Sequence, residues 1–190
     1  MSKLKCWWRL GVVCLLMLAS SNVLARGFRL NDWGVSRAEA RESESYAFMS
    51  QDADTMTFTA GQTMFGVGAT IGYVFTAEDQ LAAGTYIFDR HAVTSRYLDD
   101  YEAIQAVLVE LYGEPSEAST EWLDEYHRGN LDNYGNAVAE GDLRLETRWE
   151  TPDEVIVLRL FGNEGRVMHR ADYLSKTYYP LYTQAAASGD

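Results

Sequence analysis

The sequence predicts an α+β protein, an antiparallel sheet with helices on one face. Three observations carry that expectation: several short runs alternate apolar and polar residues, one long run repeats apolar residues at helical spacing, and the order helix then strands occurs twice. The helix starts of the two halves, Ser36 and Asp99, lie 63 residues apart, so the chain divides into half-repeats of about 36–89 and 99–173 within one domain spanning 26–183. Residues 184–190 are expected to be a flexible tail.

In the first half, Ser36 stands three residues before Glu39. This is capping-box spacing, in which each side chain satisfies an orphan amide at a helix start. The residues that follow (Ala, Arg, Glu and Ser) offer no apolar stripe, so this helix is expected to be a short cover across an end of the sheet, anchored by Trp33 and Val35. "DTMTFTAG" then alternates Thr55, Thr57 and Thr59 with Met56, Phe58 and Ala60. "TIGYVF" places Ile71, Tyr73 and Phe75 on one side, and "GTYIFDR" opposes Tyr86 and Phe88 to Thr85, Ile87 and Asp89. With the polar turn "TAEDQ" between them, these two runs read as an antiparallel hairpin.

The second half opens with "DDYEAIQAVLVELYGEP". Ile104, Val107, Leu108 and Leu111 recur at helical spacing, with Gln105 expected on the opposite face. Asp99 and Glu102 repeat the capping-box spacing, and Gly113 with Pro115 gives the stop signal. "DLRLETRW" sets Leu143, Leu145, Thr147 and Trp149 against Asp142, Arg144, Glu146 and Arg148, a half-buried strand with a charged outer face. After the turn Thr151–Asp153, "EVIVLRLF" is apolar enough for a central strand, and "GNEG" returns the chain into "RVMHRADYL", completing a three-stranded meander.

Ahead of the domain stands a secretory signal. Lys3, Lys5 and Arg9 precede the apolar run Leu10–Ala19, and the small residues around Ala25 make a cleavage site before Arg26. Ser20, Ser21 and Asn22 interrupt the run short of the roughly 20 residues needed to span a bilayer, so no stable membrane anchor is expected. The expected location is the periplasm or the medium. Cleavage removes Cys6 and Cys14, the only cysteines, which excludes disulfide scaffolds, thiolate-held zinc and cysteine nucleophiles from the mature chain. It also removes three of the 16 cations and leaves 13 against 28 carboxylates, a net charge of −15. Nucleic acid binding depends on Lys and Arg neutralising phosphates, so that class of partner is excluded. The mature 165 residues are one domain's length and bury roughly 70% of the unfolded chain's surface.

Chemical motifs are sparse. "GVGATIG" has Gly66, Gly68 and Gly72 at the wrong spacing for a dinucleotide fingerprint, and strand-type residues follow where a helix should begin, so these glycines read as a bulge or close strand packing. His91, His127 and His169 lie in separate segments without metal-ligand spacing, and no G-x-S-x-G elbow occurs. No cofactor, metal or catalytic residue is assigned. The richest segment is "STEWLDEYHRGNLDNYG", Ser119–Gly135, read as a long connection between helix and strand. Its Trp122, Tyr126, His127 and Arg128 are residue types enriched at protein interfaces and are the expected partner-binding set. Glu121, Asp124, Glu125 and His127 are the residues a carboxylate-dependent hydrolase would use, the alternative reading.

"FRLNDWGVSRAEARESE", the hairpin segment, "DDYEAIQAVLVELYGEP" and "NAVAEGDLRLETRWETPDEVIVL" resemble a family of uncharacterised bacterial secreted domains marked by a WG-(S/T) helix start and a YG-x-P helix end. The resemblance covers nearly all of residues 28–175. It is similar in outline to the tandem helix-plus-sheet modules of β-lactamase inhibitor proteins and SmpA/OmlA-type envelope lipoproteins. It implies a non-catalytic module that binds an envelope or secreted protein, and it brings no catalytic residues. The chain departs from the lipoproteins in lacking a lipid-acceptor cysteine, since Cys14 lies in mid-run.

Overall fold

A computed structural model describes residues 27–163 and 165–188, so the signal segment and its two cysteines lie outside the described residues. Eight strands form one antiparallel sheet. The chain runs α1 (Arg37–Ser43), β1 (Ala47–Gln51), β2 (Thr55–Ala60), β3 (Ala69–Phe75), β4 (Leu81–Phe88), α2 (Arg96–Tyr112) and β5 (Glu117–Trp122). A 3₁₀ turn (Leu131–Asn133), α3 (Tyr134–Glu140), β6 (Leu143–Glu150), β7 (Glu154–Asn163), β8 (Arg166–Ser175) and α4 (Tyr179–Ser188) follow. The order across the sheet is β1-β2-β3-β4-β8-β7-β6-β5. The first half is a helix followed by a four-stranded meander, and the second half has the 3₁₀ turn and α3 between its first two strands. The last strands of the two halves, β4 and β8, pair through Thr85↔Asp172 and Tyr86↔Ala171 and join the meanders at the centre.

Direct cross-strand pairing puts whole rows of side chains on one face. One row runs Thr147, Leu158, Ala171, Tyr86, Ile71 and Phe58, and the next runs Trp149, Ile156, Tyr173, Gly84, Tyr73 and Met56. These rows are buried and form the covered face. Helix α2 turns Tyr97, Tyr101, Ile104 and Leu108 onto it. Tyr101 and Gln105 both reach the Thr147 hydroxyl, at 2.8 and 3.0 Å, and the Trp149 indole N–H donates to Gly113 O at 2.9 Å, seating the helix's last turn.

The N-terminal segment also lies on this face. Phe28 fits where Gly84 lacks a side chain, since a Cβ there would lie 2.0 Å from the Phe28 ring, and it meets Tyr73, Tyr86 and Tyr173 at centroid distances of 5.2–5.3 Å. Arg29 forks onto Glu44 (2.7 and 3.1 Å) and donates to the Tyr86 hydroxyl, while Tyr73 donates to Glu44 at 2.7 Å. Burial alone would raise the Glu44 pKa, but the hydrogen bonds from Tyr73, the Tyr46 N–H and Arg29 outweigh it and hold the carboxyl below its usual value. The capping box at Ser36–Glu39 is present, with reciprocal bonds of 3.3 and 2.9 Å. Beyond it, Arg37 lies 4.9 Å over the Phe75 ring and donates to the carbonyls of Asp52 and Ala53. A helix without an apolar stripe is therefore held by its flanks, with only Ala40 buried.

Five expectations need correction. Asp99 does not cap α2: the helix begins at Arg96, before the Asp99–Glu102 pair, so Asp99 sits in its first turn. The buried stripe uses the two tyrosines, and Leu111 is exposed. Gln105 is half-buried against the sheet and not on the opposite face. The stretch read as a long connection holds β5 and α3, so the second meander has four strands. Strand β5 and its counterpart β1 at the other edge are exposed almost throughout, so burial imposes no alternation on them to be read. At the C-terminus, α4 crosses the boundary expected at residue 183. Among the described residues, no helix is long and apolar enough to cross a membrane.

Candidate functional site on the open sheet face

The opposite rows make the second face. Ser119, Glu146, Arg159, Arg170, Ile87 and Thr70 form one row, and Glu117, Arg148, Val157, Asp172, Thr85 and Gly72 another. The β1–β4 half of this face carries threonines, glycine and small apolar groups, whereas the β5–β8 half carries the charges. A hollow of about 580 Å³ opens there, lined by Arg144, Arg159, Arg170, Glu121, Glu146 and Phe161 among others.

Two of its lining arginines hold the buried carboxylate of Asp172. Arg159 donates to Asp172 at 3.1 Å and to Glu146 at 2.7 Å, and Arg170 forks onto the other oxygen of Asp172. A carboxylate taken out of water is tolerated when it is paired and hydrogen-bonded in this way, and the pairing in turn fixes both guanidinium planes. Arg144 stands apart. Its nearest carboxylate, Glu121, is 3.9 Å away, and its guanidinium makes no hydrogen bond among the described residues. Three arginines line one hollow with Glu121 and Glu146, and Arg144 is the one whose guanidinium is held only by a long ion pair.

The four residues expected to bind a partner are placed differently. Trp122 ends β5, packs against the core and stacks edge-on with Tyr134 at 4.9 Å. Tyr126 is 84% exposed, and Arg128 pairs with Glu125 at 2.5 Å on the surface. His127 is only 8% exposed, and its Nε2 lies 2.9 Å from Glu140. The residues considered for acid–base chemistry do not converge: Glu121 faces Arg144, Glu125 holds Arg128, and Asp124 accepts the Tyr126 N–H at 2.8 Å. The structure instead gathers His127, Glu140 and Asp142, with one donor atom of each within 4.8 Å of the others. Sequence spacing hides this group because α3 and its reversal at Gly141 separate the histidine from the carboxylates.

Two titratable groups sit on the covered face. Burial raises Glu154 to about 7 against the pull of hydrogen bonds from Trp33 (3.0 Å) and the Gly27 N–H, and its Oε1 has no partner among the described residues. Burial lowers His169 to about 4, and its ring, between Phe88 and Tyr101, has neither nitrogen hydrogen-bonded.

These features define the class: an α+β protein with one helix-covered sheet face and one open face bearing an arginine-lined hollow. No family model, curated protein or solved structure matches the chain.

Proposed function

We propose that the protein is an exported, non-catalytic binding module of the periplasm or medium, and that the hollow on its open sheet face docks a carboxylate-bearing segment of an envelope or secreted protein. The observation that carries this reading is Arg144, whose guanidinium makes only a 3.9 Å ion pair with Glu121 and no hydrogen bond among the described residues, beside two arginines fixed by Asp172. A partner carboxylate meeting Arg144 completes a charge-assisted pair, and the half-exposed ring of Phe161 supplies the apolar contact beside it. The signal layout before Arg26 supports export, and the resemblance to secreted helix-plus-sheet modules supports protein binding. The hydrolase alternative draws no support from Glu121, Asp124 and Glu125, each engaged elsewhere.

The test is photo-crosslinking in the native host from a benzophenone amino acid at position 161, with and without Arg144→Glu. A discrete protein adduct that disappears in the charge-reversed variant, with the melting temperature unchanged, is the expected result. An adduct indifferent to Arg144→Glu, or none, overturns the docking site.

A further inference from the structure

We propose that His127, Glu140 and Asp142 form a binding site for a divalent transition-metal ion of the zinc type. One imidazole nitrogen and one oxygen from each carboxylate already lie within 4.8 Å of one another. The frame around them is built. Gly141 takes a left-handed conformation (φ 92°) that closes α3, with its N–H directed at the carbonyls of Ala137 and Val138. The Asp142 N–H donates to Ala137 O at 2.8 Å, and Asp142 O accepts the Leu123 N–H at 2.7 Å, which ties the end of β5 to the start of β6. Between these ties the turn 124–130 is held by Arg128 N–H to Glu125 O (3.0 Å) and Asn130 N–H to His127 O (3.3 Å), and it presents His127 inward under the exposed Tyr126 ring.

The bond between His127 and Glu140 does not account for the whole group: it takes up only Nε2 of the imidazole, and the Asp142 carboxylate is paired with no arginine or lysine among the described residues. Two carboxylates beside one buried imidazole offer a cation an anionic, nitrogen-bearing site. The donor set of imidazole and carboxylate without thiolate suits zinc and its neighbours in the first transition row, which bind such atoms at roughly 2.0–2.2 Å. Glu140 is 60% exposed on its side chain, so a bound ion keeps solvent-facing positions for water.

The experiment titrates zinc chloride into the untagged mature protein beginning at Arg26, which holds no thiol to compete. Calorimetry and thermal melts provide the readouts. One zinc per chain and a melting temperature that rises with zinc are expected. Glu140→Gln and Asp142→Asn should each weaken binding at least about tenfold, since even outer-shell changes at metal sites cost roughly 10–100-fold. Asp124→Asn and Glu125→Gln should leave it unchanged. His127→Asn tests the third ligand, and if that variant fails to fold, the two carboxylate variants still decide. Failure to bind zinc, binding indifferent to Glu140→Gln and Asp142→Asn, or equal response to calcium and zinc overturns the site.

Discussion

On the covered face of the sheet, Glu154 and His169 are buried with few hydrogen-bond partners or none, whereas on the open face the buried Asp172 is clasped by two guanidiniums. The same strands build both arrangements, because β7 and β8 point alternate residues to opposite sides. Under the helices, space is filled by rings, and the two groups there without a charged partner are pushed toward their neutral forms: burial raises Glu154 and lowers His169. On the open face, long arginine side chains reach down to the buried carboxylate while water remains available to their outer donors. Apolar packing and the titrations of Glu154 and His169 therefore act on stability through the covered face.

The largest expected effect tests whether the covered face is close-packed up to the N-terminal segment. Phe28→Ala should cost about 3–5 kcal/mol in urea unfolding, because the ring fills the gap above Gly84 that three tyrosines surround. A loss below about 1 kcal/mol would mean that this segment is not part of the core.

Next come the two titrations, which oppose each other. Glu154 rises from 4.5 to about 7 on folding, so its penalty is absent below pH 4.5, grows up to pH 7 and then stays constant. His169 falls from 6.5 to about 4, so its penalty is absent above pH 6.5 and grows as pH falls toward 4. Each amounts to about 3 kcal/mol at its limit, and in the wild type the two slopes largely offset between pH 4 and 7. Glu154→Gln should therefore gain about 3 kcal/mol relative to wild type at pH 8 compared with pH 4. His169→Phe should show the reverse, a relative gain at pH 4. Parallel stability–pH curves for wild type and both variants would show that neither group is buried as described.

Gln105→Ala is a finer probe of where α2 sits. Loss of its hydrogen bond to Thr147 should cost about 1 kcal/mol, where an exposed helix position would cost little. Chemical denaturation resolves the difference. Smallest is Arg144→Glu on the open face, expected within about 0.5 kcal/mol of wild type in thermal melts. A large destabilisation there would make Arg144 structural and remove it as the docking residue.

Much of the fold was legible in the sequence where local rules act alone. The capping box at Ser36–Glu39 needs only four residues, and the stop at Gly113 needs only a backbone tolerant of positive φ. The alternation from Leu143 to Trp149 separates the covered face from the charged one without further information. Strand β5, "EASTEW", escaped notice because an edge strand exposed on both sides has no burial pattern to write into its sequence. The start of α2 was misplaced for a related reason: Tyr97 and Tyr101 are buried by the sheet beneath them, and a stripe of aliphatic residues alone does not include them.

Of the candidate sites, the sequence singled out His127 but paired it with the wrong carboxylates, Glu121, Asp124 and Glu125, which are its near neighbours in the chain. Its actual companions, Glu140 and Asp142, are 13 and 15 residues away and arrive through the reversal that closes α3. The arginine hollow was legible only as the charged side of one strand, Arg144, Glu146 and Arg148. Its assembly from β6, β7 and β8 depends on register.

By itself, then, the sequence determined the α+β class, the capped start of α1, the stop of α2 at Gly113, the 69–88 hairpin and the two-sided character of β6, because each follows from side-chain period or backbone preference over a few residues. Only the tertiary structure decided that β4 lies beside β8, which residues share the open hollow, and which carboxylates meet His127. Backbone hydrogen bonds between distant strands are chemically alike whatever the partner. The choice among them is made by how well the whole covered face packs, a property no local stretch contains.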